Sequence, residues 1–212
     1  VKKLREARRV AAADLASLGA RTVVIAEGMD DPLEEWVRAG GRLLLAATEA
    51  LLRPFHPKLG LTQGRYYFTP PANYPPLEDG NSGTIIVDHP MLGDFPHEGF
   101  ADLSLYRPIG ESPPLDLDAL HVERARPAIR ALSSYYVCRP LAYLAEFRHG
   151  RGRIIVSALD LDPKLPEARY LLACILHYAA GEGFRPKTAL PRGGVERLLE
   201  AAALAGEQGA GR

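Results

Sequence analysis

The amino-acid sequence predicts an α/β domain: a mostly parallel, doubly wound sheet with helices on both faces and a β-hairpin towards the C-terminal end. Three observations carry this expectation. The first quarter of the chain reads helix, strand, helix, strand with short glycine-marked connections, the order of βαβ units and a parallel sheet. Its strands, Thr22–Ala26 and Arg42–Ala46, are continuous apolar runs too short for helices, as strands covered on both faces must be. Later, the apolar runs Leu141–Phe147 and Ile154–Leu159 are joined across His149-Gly150-Arg151-Gly152, whose glycines can take positive φ in a hairpin turn.

In chain order, Leu4, Ala7, Val10, Ala11, Leu15 and Leu18 recur at helical spacing and predict a helix from Lys2 to Leu18, stopped at Gly19. After the first strand, Asp30 or Asp31 caps a short helix with Pro32 in its first turn, running through Leu33–Arg38 to Gly40-Gly41. The second strand follows at once. Residues 53–82 are rich in proline and glycine yet hold Tyr66, Tyr67, Phe68 and Tyr74, which points to an ordered excursion rather than plain disorder. Thr84–Asp88 reads as a further strand, followed by loops to about Asp118, and Ser134–Cys138 as another strand candidate. Leu165–Ala180 is a strongly apolar helix. Gly194–Ala205 forms a last helix, with a frayed end from Gly206. The division expected is an α/β domain over 1–185 and a C-terminal helix with a flexible tail over 186–212.

With 212 residues the chain suits one core. Its 26 basic and 26 acidic side chains cancel, so net charge implies neither nucleic acid nor an anionic membrane as partner. No apolar run approaches the roughly 20 residues that span a bilayer. Nor do the first residues, Val1-Lys2-Lys3-Leu4-Arg5-Glu6, have the apolar core of a signal peptide, so a cytoplasmic location is the default expectation. Cys138 and Cys174 read as free core thiols rather than a disulfide framework.

Four chemistries bear on these residues. A thiol nucleophile has weak support: Cys138 precedes the cation Arg139, and Cys174 lies one helical turn from His177. His89 and His97 share a segment with Asp88, Asp94, Glu98 and Asp102, but the spacing matches no strong metal motif, and no metal or cofactor is expected. Asp160 and Asp162 lie just past a strand, at the carboxyl end where open α/β sheets hold ligands, and against an acid and base pair stands their ordinary use in starting the next helix. The catalytic candidates are therefore Asp88, His89, Asp102 and Asp160. Aromatic faces with polar neighbours suit carbohydrate rings, so Tyr66, Tyr67, Tyr74, His97, Tyr106 and Asp162 are the ligand-binding candidates, against a role in pinning down long loops.

Three segments together resemble a known family. Trp36-Val37-Arg38-Ala39-Gly40-Gly41-Arg42-Leu43-Leu44-Leu45 is similar to the helix-to-strand step of class I glutamine-amidotransferase-like domains. His89-Pro90-Met91-Leu92-Gly93-Asp94-Phe95-Pro96, with Phe100-Ala101-Asp102, resembles a segment of such domains where they accompany bacterial β-galactosidase-type glycoside hydrolases. Gly150–Asp162 with Pro166–Leu172 is similar to their closing hairpin and helix. The resemblance implies a flavodoxin-like fold, a carbohydrate ligand and a glycoside hydrolase catalytic domain as partner. It also implies a nucleophilic cysteine directly after the central strand, where this chain has Ala46-Ala47-Thr48-Glu49-Ala50. The expectation is thus a non-catalytic accessory, ligand-binding or assembly domain. The alternatives are a stand-alone hydrolase acting on a sugar derivative through the His/Asp cluster, and a structural domain that forms homo-oligomers.

Overall fold

A computed structural model describes residues 8–47, 55–56, 79–80, 83–109, 113–133 and 139–210. It is an α/β fold built on one mixed seven-stranded sheet. Strands β1 (Val23–Ala26) and β2 (Arg42–Ala46) flank helix α1 (Asp31–Ala39) in the chain and pair in parallel, Val23 opposite Arg42. Among the described residues, the two-residue strands β3 (Phe55–His56) and β4 (Asp79–Gly80) pair with each other, apart from the large sheet. Next come β5 (Gly83–Ile86), the single-turn α2 (Tyr106–Ile109), β6 (Leu115–Asp116), β7 (Ile129–Leu132), β8 (Pro140–His149) and β9 (Gly152–Ser157). Helices α3 (Pro166–Ala180) and α4 (Arg192–Ala210) close the chain. The spatial order is β1-β2-β9-β8-β7-β5, with β6 also on β8.

Parallel pairing in the large sheet is confined to β1, β2 and β9. From β9 outward every pair is antiparallel, so the antiparallel half is larger than the single hairpin the sequence suggested. The hairpin β8–β9 joins the halves: Gly150 turns the chain at φ 57, and Glu146 opposes Ile155. Side chains alternate across a strand, so Gly152 and Arg153 point to opposite faces. A Cβ on Gly152 would lie 1.8 Å from the Val37 carbonyl oxygen, which puts α1 against that face. On the other face, beside Arg153, Arg42 donates from Nη1 to the carbonyls of Ala179 and Gly181, both at 2.8 Å, and so caps the end of α3.

Local chemistry explains the helix bounds. Asp30 accepts from the Leu33 amide at 3.0 Å as the N-cap of α1, and Pro32 sits where no donor is needed. Leu33 and Val37 turn inward from α1, Leu171 and Ile175 from α3, and Val195, Leu198 and Ala201 from α4 into the same core. Each fully buried branched side chain contributes about 1.5–3 kcal/mol.

Several expectations are corrected. The helix expected over Lys2–Leu18 is a 3-10 helix at Ala12–Ser17, with residues 1–7 outside the described set. It buries only Leu15, because its alanines offer little surface to hold a longer helix down. Strand β1 is not covered on both faces: it is a sheet edge, and Ile25 is 53 % exposed. The strand candidate Ser134–Cys138 lies outside the described residues, whereas Ile129–Leu132, unanticipated, forms β7. The C-terminal helix runs to Ala210, past the Ala205 end expected.

Candidate functional site

Among the described residues, one largely buried polar cluster is built on β8. Its sequence is apolar from Leu141 to Ala145 and again at Phe147, with Glu146 between. Alternation places Glu146 on the α3 face. There Tyr178, in the last turn of α3, donates its hydroxyl to Oε2 at 2.7 Å. His89, in the turn after β5, presents Nε2 to Oε1 at 3.7 Å. The other His89 nitrogen, Nδ1, accepts the Met91 amide at 3.2 Å, so the neutral ring carries its proton on Nε2, facing Glu146. The His89 and Tyr178 rings meet edge to face at 5.6 Å, and Phe184 backs Tyr178 at 5.3 Å.

The His89 and Glu146 side chains are only 19 % and 13 % exposed. Burial, and then the hydrogen bond and charge of Glu146, push the Tyr178 phenol well above its ordinary value. Both Glu146 oxygens face donors, one hydrogen-bonded and one at ion-pair distance. Chemically the cluster can hold a proton or tie β8, α3 and the β5 turn together.

The residues singled out from the sequence fall in several places. Asp88 is fully exposed, with His97 Nε2 3.9 Å from its Oδ1. His97 Nδ1 accepts the Gly99 amide at 3.3 Å. Asp102 accepts from the Ser104 hydroxyl at 2.5 Å and the Ser104 amide at 2.8 Å. Those bonds hold its carboxyl below the usual range, with a smaller contribution from His97. Asp160 accepts the Asp162 amide at 3.0 Å, and Asp162 accepts the Lys164 amide at 2.9 Å, two successive turns that lead into α3. Tyr106 opens α2 and is 41 % exposed. Tyr66, Tyr67 and Tyr74 lie outside the described residues, as does Cys138.

The structure thus groups His97 with Asp88 and Asp102, and His89 with Glu146 and Tyr178. No hydrogen bond or ion pair among the described residues joins His89 to Asp102 or Asp160. Burial pushes the Cys174 thiol up, away from the thiolate a nucleophile needs, and its neighbour in the sequence, His177, is exposed.

Sequence reasoning missed Glu146 and Tyr178, although a carboxylate inside an otherwise apolar strand is a readable signal. It also missed a second pair on the opposite face of β8, where His149 Nε2 meets Glu34 Oε1 of α1 at 2.5 Å, both side chains largely buried. Open grooves lie elsewhere among the described residues. One of about 630 Å³ runs between the 3-10 helix and α1 beside Trp36, and one of about 760 Å³ lies beside β1. Neither is lined by a residue of the β8 clusters.

Among the described residues, no group of three or more His, Cys, Asp or Glu side chains is arranged to hold a metal ion, and no helix is long and apolar enough to cross a membrane. The chain belongs to a family described as a domain of unknown function, DUF8487, whose model matches residues 24–200. No curated protein matches it.

Proposed function

We propose that this chain is a non-catalytic accessory domain that binds a ligand or assembles with a carbohydrate-active enzyme, on a doubly wound, flavodoxin-like scaffold of the amidotransferase type. The observation that carries the reading is the use of the carboxylates past the end of β9. In open α/β sheets the carboxyl ends of the strands are where ligands and chemistry gather. Here Asp160 and Asp162 each hold a backbone amide two residues on. A general acid or base needs a carboxylate aimed at a substrate, and these two are aimed at their own turns.

Ala47, the described residue after the strand that would carry an amidotransferase nucleophile, has no reactive side chain, and its amide donates to the Ser157 carbonyl at 2.7 Å. The resemblance of the three segments supplies the carbohydrate context and the glycoside hydrolase partner. Fold-level likeness alone does not carry chemistry, so the test has to be direct.

The full chain is to be assayed on a panel of nitrophenyl glycosides and titrated calorimetrically with oligosaccharides. No turnover, together with binding weakened by Tyr66→Ala and Tyr106→Ala, is the expected result. Turnover abolished by His89→Ala or Asp102→Asn would establish the hydrolase alternative through Asp88, His89, Asp102 and Asp160 instead.

A further inference from the structure

Among the described residues six large apolar side chains are exposed, and all lie towards the two ends of the sheet: Ile25 on β1, and Ile85, Val87, Phe100, Leu103 and Tyr106 from β5 to the start of α2. Soluble surfaces carry scattered apolar residues without consequence, but clustering at sheet edges is where association begins. Ile85 and Val87 share a face by alternation, and Phe100 joins them through an antiparallel bridge to Ile85. Leu103, close behind, is 87 % exposed.

The charges around these two edges are opposite. Between Gly83 and Tyr106 there is no lysine or arginine, and the same segment carries four exposed carboxylates, Asp88, Asp94, Glu98 and Asp102, of which Asp94 lies towards α3. Opposing charges are Arg130, the cross-strand partner of Ile85 on the same face, and Arg107, which follows Tyr106. At the other end, a groove beside β1 is lined by Arg8, Arg9 and Val10, by the end of the 3-10 helix and by residues 22–25, with no carboxylate. No described strand pairs with the outer side of β1. Glu27 and the Arg21–Glu182 ion pair lie beyond the ends of that strand.

The two edges cannot satisfy each other within one molecule. Five strand spacings of about 4.8 Å separate them by about 24 Å. We propose that copies of this chain associate head to tail, the basic β1 edge of one copy seating on the acidic, apolar-centred β5 edge of the next. This is self-association, separate from the assembly with an enzyme proposed above, and does not depend on a carbohydrate ligand. The contact joins two different surfaces, so it propagates into a ring or a short filament rather than stopping at a two-fold dimer. A zero net charge fits the arrangement, since nothing in the total charge keeps copies apart.

The test is sedimentation velocity on the full chain over a concentration series, at low and high salt. The mass is expected to rise from 23.1 kDa to twice that or more, and to fall back as the screening length drops from about 10 Å at 0.1 M to about 3 Å at 1 M salt. Arg8→Glu/Arg9→Glu and, separately, Asp88→Lys/Glu98→Lys should each weaken association at least about tenfold. Mixing the two variants restores complementary edges and should restore association. Circular dichroism establishes that both are folded, and Leu103→Asp provides an independent block of the same edge. A monomeric wild-type chain at about 100 µM, above the Kd of an ordinary specific contact, or variants that stay apart when mixed, overturns the proposal. Neither result touches the accessory-domain reading, which stands or falls by the glycoside and calorimetric assays.

Discussion

Tyr178→Phe removes one oxygen from the interior, and its cost can be worked from the geometry. The lost bond is a hydroxyl donating to a carboxylate at 2.7 Å, and Glu146 is only 13 % exposed, so water replaces the donor poorly. Hydrogen bonds to charged groups contribute about 1.5–3 kcal/mol, and the residual exposure together with His89 nearby favours the lower end, about 1.5 kcal/mol. For a chain of this size that is a fall in Tm of about 3–6 °C. Urea unfolding of Tyr178→Phe, Glu146→Gln and the double variant gives a coupling energy, expected near 1 kcal/mol or above. The alkaline limb carries an independent signature. The folded-state value of the Tyr178 phenol lies above the unfolded one, so its contribution is complete below about pH 10 and is lost as pH rises towards the folded value. Tyr178→Phe should therefore flatten the loss of stability above pH 10. Additive single effects within about 0.4 kcal/mol, with an unchanged alkaline limb, would refute the idea that Tyr178 and Glu146 act as one unit.

Three further outcomes are expected. Gly152→Ala drives a methyl group into the Val37 carbonyl, 1.8 Å away, and should cost at least about 3 kcal/mol in urea unfolding, the upper end for overpacking; a cost under about 1 kcal/mol would mean that α1 is not seated there. Glu34→Ala strands His149 beneath α1 and should cost about 2 kcal/mol, less than a fully buried pair because both side chains keep some exposure; Glu34→Ala and His149→Ala combined should cost less than their sum. Asp102, with a carboxyl below its ordinary value, adds stability above about pH 3.9 that is lost as pH falls through the folded value. Ser104→Ala should raise the Asp102 titration midpoint in a side-chain NMR titration, and an unmoved midpoint would show that the hydroxyl is not the main cause.

The alternating first quarter was legible because each signal there is local. Asp30, Pro32 and Gly40 bound α1 by capping chemistry, and Arg42–Ala46 could be read as a strand from its apolar run. The hairpin and α3 were equally plain. Strand β7 was not, because Ile129-Arg130-Ala131-Leu132 holds only four residues, follows a proline-containing loop and owes its pairing to β5 and β8 far along the chain. The edge position of β1 was hidden for the same reason: strand order is a long-range property, and the run Val23-Val24-Ile25 looks identical at an edge and at a centre. Of the site, the carboxylates that are conspicuous in sequence, Asp102, Asp160 and Asp162, stand in loops and are used by those loops. Glu146 and Tyr178 lie 32 residues apart and are joined only because β8 and α3 pack face to face.

That contrast bears on function. Strand β8 carries Glu146 to α3 on one face and, three residues on, His149 to α1 on the other. One strand thus pins a helix to each side of the sheet through a carboxylate partner. Arg42 performs a related service by closing the end of α3 with its guanidinium. Each of these carboxylates is held by a second element whose packing depends on it. Loss of Glu146 should therefore be read first as loss of fold. Among the described residues, groups that stand clear of the core are the exposed carboxylates and apolar side chains from β5 to Tyr106, and the arginines beside β1.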